Sequence, residues 1–105
     1  MPHYTIRVEL HKGTWDDYVE LHKHLAVHGI VDTITSDEGV RYKLPPAEYN
    51  YEGNNDIGRV VEICKQSAAK VVQSYAVLVT EANRRSWYGL QKVVTQPNRA
   101  MGFAR

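Results

Sequence analysis

Residues 3–11, HYTIRVELH, alternate without a break: Tyr4, Ile6, Val8 and Leu10 fall on one side, Thr5, Arg7, Glu9 and His11 on the other. A period of two over that length predicts a half-buried strand. The pattern then changes. KGT interrupts it, and Thr14 followed by Asp17 has the form of a helix N-cap with an acidic residue in the first turn. Tyr18, Leu21, His22 and Leu25 share a stripe of helical period, so a helix is expected from about Trp15 to His28, stopped by Gly29.

IVDTITSDEGVRYKL reads as a hairpin, its turn supplied by Ser36, Asp37, Glu38 and Gly39. Pro45 and Pro46 remove two backbone donors, so the second arm must kink, bulge or lie at an edge before AEYNYEG resumes an extended pattern. Asn54, Asn55 or Asp56 can cap a second helix, whose apolar positions Ile57, Val60, Val61, Cys64, Ala68 and Val71 keep the helical period. SYAVLVTEA follows, apolar on both sides as suits a covered strand. After a polar turn at Glu81–Arg85, SWYGLQKVV is expected to add a further strand.

The resulting order is β-α-β-β-α-β, which predicts an α+β fold of the ferredoxin-like kind. Its antiparallel sheet would carry both helices on one face and leave the other open. The fold by itself decides no function. One domain over residues 1–93 and a basic tail over 94–105 complete the expected organisation.

Composition narrows the picture. A chain of 105 residues, 43% of them hydrophobic, has room for one core. No apolar run is long enough to span a bilayer, so no membrane partner is expected and the protein is read as cytoplasmic. The single cysteine, Cys64, has no disulfide partner and fits a core position. The net charge of +1 conceals a division: residues 1–81 hold eight basic and twelve acidic side chains, whereas 82–105 hold five basic and none acidic. Clustered cations favour an anionic partner for the C-terminal part.

With YKLPPAEYNYEGN and SYAVLVTEANRRSWYGL both in view, the chain resembles the GhoS-like family of bacterial endoribonuclease antitoxins of type V toxin–antitoxin systems. The likeness covers about residues 3–90. It implies a ferredoxin-like fold and action on messenger RNA, with single-stranded RNA as partner, but it assigns a catalytic role to no residue.

The residues themselves offer two candidate sites. Arg7, Glu9 and His11 share one face of the first strand. Metal-free RNA cleavage needs a base for the 2′-hydroxyl, an acid for the leaving oxygen and a cation for the phosphorane, and this set contains all three types. Arg84, Arg85 and Trp87 combine charge with a planar ring, as a grip on single-stranded RNA requires. Tyr49 and Tyr51 are expected to point into the core with Tyr4, leaving Glu48, Asn50 and Glu52 outward. Glu20, His24 and His28 read as an exposed polar stripe: the outer two lie about 12 Å apart along a helix, too far for one ion. No motif calls for a metal or a small-molecule cofactor. A non-enzymatic module that homodimerises through the SWYGLQKVV strand is the alternative expectation.

Overall fold

A computed structural model of the chain describes residues 1–94; apart from Val94, the expected basic tail lies outside the described residues. Seven elements follow one another: β1 (His3–Leu10), α1 (Trp15–Ala26), β2 (Thr33–Thr35), β3 (Arg41–Lys43), β4 (Glu48–Glu52), α2 (Ile57–Ala69) and β5 (Tyr75–Glu81). The fold class is α+β. β1 is the middle strand of an antiparallel sheet of order β4-β1-β5, and β2 with β3 makes a separate two-stranded sheet.

Register explains why β1 organises the molecule. Tyr4 stands opposite Tyr51 and Glu81, Ile6 opposite Tyr49 and Val79, and Arg7 opposite Glu48 and Leu78. The expected alternation therefore holds across three strands. Tyr4, Ile6, Val8 and Leu10 are buried with Tyr49 and Tyr51 in one core, which α1 joins through Leu21 and Leu25 and α2 through Val60, Ile63, Cys64 and Ala68. Both helices thus cover the same face. Burial pushes the Cys64 thiol up to about 12, which leaves it protonated and unreactive at neutral pH.

Local chemistry sets the helix ends. The Thr14 hydroxyl accepts from the Asp17 amide at 3.1 Å and the Asp17 carboxylate accepts from the Thr14 amide at 2.9 Å, a reciprocal capping box. Gly29, at φ 77°, supplies the left-handed residue just beyond α1. Asp56 caps α2 by accepting from the Arg59 amide at 2.9 Å. Between β4 and α2, a Cβ at Gly53 would collide with the Tyr51 phenol, so only glycine lets that ring fold back. Tyr51 stacks on Tyr4 with centroids 6.0 Å apart and its hydroxyl accepts from Asn55 Nδ2 at 2.9 Å.

Three expectations need correction. The hairpin forms, but its arms leave the main sheet. Only Val31 reaches β4, in a single bridge to Asn50 with amide–carbonyl distances of 3.0 and 2.7 Å. Pro45 and Pro46, followed by Ala47 at φ 67°, break the chain between β3 and β4, so the two are separate strands. SWYGLQKVV forms no regular strand: Lys92 makes one bridge to Tyr42, with Gln91 and Val93 bonded to Lys43 and Arg41 at 2.9 Å each. Residues 82–93 instead form a strap. It leaves β5 with the Ala82 amide on the His3 carbonyl, crosses the sheet face opposite the helices, and ends beside β3.

Packing dictates where truncation hurts. Leu25→Ala, at a fully buried position, is expected to cost about 2–5 kcal/mol. Val27→Ala, at a residue 82% exposed, should stay within about 0.5 kcal/mol of the parent. Urea unfolding of the two variants checks both.

Candidate functional site

Alternation along β1 aims His3, Thr5, Arg7 and Glu9 away from the core, with His11 just past its end. β4 sets Glu48 beside Arg7, and β5 sets Leu78 on the other side. Arg7 Nη1 lies 3.3 Å from Glu48 Oε2. His11 Nδ1 is 2.7 Å from the Ser74 hydroxyl, and its Nε2 is 3.9 Å from Glu9 Oε1. Glu9 and His11 therefore stand together as an exposed acid–base pair, steadied by Ser74. Arg7 turns the other way, into an ion pair with Glu48. Its Cα is about 13 Å along the strand from that of His11, so the two do not converge on one point.

The second predicted set is also divided. Arg84 is exposed. Arg85 is not free: its Nη1 donates to Asn50 Oδ1 at 2.6 Å and to Thr5 Oγ1 at 3.3 Å, and its Nη2 lies 4.0 Å from Glu52 Oε2. The guanidinium holds the strap to the sheet, and it explains why outward-facing Asn50 is only 7% exposed. Trp87 packs edge-on against Tyr42, centroids 5.5 Å apart. Arg84, Arg85 and Trp87 do line one polar groove, yet Asp37, Glu38 and Glu52 share it, which weakens its pull on phosphate.

A different cleft, of about 590 Å³, opens between the start of α1, the Pro45–Glu48 segment and the end of the strap. Arg7 and Glu9 line its sheet side. His22 from α1, Asp32 from the loop before β2 and Lys43 from β3 converge on another part of its wall. Both His22 Nδ1, at 3.9 Å, and Lys43 Nζ, at 3.4 Å, approach the same Asp32 oxygen, Oδ2. His22 also rests edge-on against the Tyr49 ring, centroids 5.5 Å apart. Sequence reasoning missed this group, because His22 read as a helix-boundary residue and nothing local ties it to Asp32 and Lys43.

Electrostatics there are uneven. Burial lowers the His22 pKa and Lys43 lowers it further, while Asp32 opposes both. Burial and Lys43 thus favour the neutral ring over the imidazolium. Burial raises the Tyr49 phenol far above its usual value, with Asp32 adding to the effect. The Tyr49 hydroxyl is buried and has no hydrogen-bond partner among the described residues.

These contacts make distinct forecasts. Arg85→Ala strands the Asn50 carbonyl and should cost about 1–3 kcal/mol, whereas Arg84→Ala should cost at most about 0.5; thermal unfolding separates them. NMR titration should place His22 below the ordinary value of about 6.5, lower still in Asp32→Asn and higher in Lys43→Ala. Since its folded pKa is the lower one, the stability tied to neutral His22 is present above the unfolded value and lost as pH falls through the folded one. Set against profiles of known protein families, curated proteins and solved structures, the chain matches none, so the site must be read from its own chemistry.

Proposed function

We propose that the chain is an RNA-acting protein on a ferredoxin-like frame, of the GhoS-like kind, that cuts single-stranded messenger RNA without a metal ion. The order β4-β1-β5 with β1 central supports the frame, Val31 standing against Asn50 where a fourth strand would lie. The observation that carries the chemistry is the Glu9–His11 pair, 3.9 Å apart on the open side of the sheet, with Arg7 next along the strand.

Glu9 and His11 divide the proton transfers. One takes the proton from the ribose 2′-hydroxyl as that oxygen bonds to phosphorus; the other returns a proton to the 5′-oxygen as the phosphorus–oxygen bond breaks. The products are a 2′,3′-cyclic phosphate and a 5′-hydroxyl. Arg7 supplies charge to the strand beside the reacting phosphate, at the cost of its contact with Glu48. Exposed Arg84 adds affinity without sequence choice. In a toxin–antitoxin pair, such cutting would silence the message of the toxin.

A second reading, a module that pairs with its own copy, has one observation in its favour: among the described residues, no strand pairs with the outer edge of β5. The strap segment is occupied at β3, so β5 takes over the role first expected of SWYGLQKVV.

Purified protein incubated with labelled single-stranded RNA in EDTA should cut it. Glu9→Gln and His11→Ala should each slow cleavage by about 10²–10⁴ with unchanged unfolding curves. Cleavage that survives both variants would remove this site, and no cleavage with or without added magnesium would remove the enzyme. Light scattering across a concentration series tests the second reading: a monomer throughout would exclude it.

A further inference from the structure

The cleft beside the acid–base pair has the build of a ligand site. Its volume, about 590 Å³, lies in the range of small-molecule pockets. Trp15, Leu44, Pro45, Pro46 and Leu90 give it apolar walls. The Trp15 indole is 79% exposed although it opens a helix, an unusual position for the largest apolar side chain. Flat walls of this kind fit a planar aromatic ring.

The polar end selects among such rings. Three carboxylates, Glu9, Asp32 and Glu48, face only two cations, Arg7 and Lys43. Each cation is already paired, Arg7 with Glu48 at 3.3 Å and Lys43 with Asp32 at 3.4 Å. A phosphate would have to break these pairs and then sit among acids, so it gains little. Hydrogen-bond donors fare better. Asp32 pairs with Lys43 through Oδ2 at 3.4 Å, yet it is only half-buried on the cleft wall, and a carboxylate can accept several bonds at once.

We propose that this cleft binds a single nucleobase, stacked on Trp15 and hydrogen-bonded to Asp32, with guanine preferred. Guanine carries two adjacent donors, the ring N1–H and the 2-amino group, and a carboxylate accepts two parallel bonds. Adenine and cytosine offer one amino group on that edge, and uracil only an N3–H flanked by two carbonyl oxygens that a carboxylate repels, so uracil fits worst. The choice of a nucleobase over other planar ligands rests on the RNA-acting reading. Arg7 and Glu9 lie on both the cleft wall and the strand face, so a base held here would present its own sugar–phosphate to the Glu9–His11 pair.

The test is calorimetric titration of the full chain with the 5′-monophosphates of guanosine, adenosine, cytidine and uridine, with ribose 5-phosphate and inorganic phosphate as controls. The guanosine nucleotide should bind tightest, and the two controls should not bind. Raising salt from about 50 to about 500 mM should change its affinity by less than about threefold, since a base contact displaces few counterions. Trp15→Ala should weaken it about tenfold. Asp32→Asn should bring it to the level of the uridine nucleotide. Equal binding of ribose 5-phosphate, or guanosine nucleotide binding untouched by both substitutions, would overturn the proposal. Base binding without RNA cleavage would keep this site and remove the nuclease; cleavage without base binding would do the reverse.

Discussion

The contact between Arg85 and Asn50, at 2.6 Å, governs how the open side of the sheet is used. Without it, residues 82–93 would keep their ties to His3, Tyr42 and β3 but lose their anchor on the polar face of β4 and β1. With it, the strap is drawn across the sheet and on to β3, where Gln91 and Val93 continue the pairing of the hairpin. The guanidinium also reaches Thr5, so two strands and the strap meet at one group. Planar, multi-donor geometry suits this role, which a lysine could not fill. Two grooves result, one on each side of the crossing, and their linings differ because different parts of the strap complete them.

Charge balance follows from the same arrangement. Counted along the chain, residues from 82 onward are purely cationic. Folded, Arg85 is surrounded by Asn50, Thr5 and Glu52, and its groove contains further carboxylates. One of the three described cations of this segment is therefore spent within the molecule. What remains on the sheet is a line of mixed character, with an acid–base pair at one end and a guanidinium held by Glu48 nearer the middle. Such a surface is poor at attracting phosphates over distance and better suited to discriminating what has already arrived.

Features set by neighbours in sequence were legible. The alternation of β1, the Thr14–Asp17 cap, the period of α2 and the inward turn of Tyr49 and Tyr51 all arise within a few residues of one another. Features set by meetings across the chain were not. Pro45 and Pro46 announced a kink, but not that the hairpin would leave the main sheet. Arg85 carried the right charge for a nucleic-acid contact, and only its distance to Asn50 reveals that it serves the fold. Asp32 and Lys43 lie on different segments from His22, and their convergence depends on how the hairpin seats against α1. Glu9 and His11 were found as a pair because strand geometry alone places them together; the steadying hydroxyl of Ser74 was not.

The central place of β1 has a consequence in time. It is made among the first residues of this chain, yet the strand that completes its pairing begins at Tyr75. At synthesis rates of about 5–20 residues per second, Tyr4, Ile6, Val8 and Leu10 wait several seconds before both flanking strands exist. During that interval the polar half of the same strand, Thr5, Arg7, Glu9 and His11, is what keeps the nascent segment hydrated. Arg7, Glu9 and His11, the β1 side chains proposed to act on RNA, thus also give that waiting strand its water-facing side.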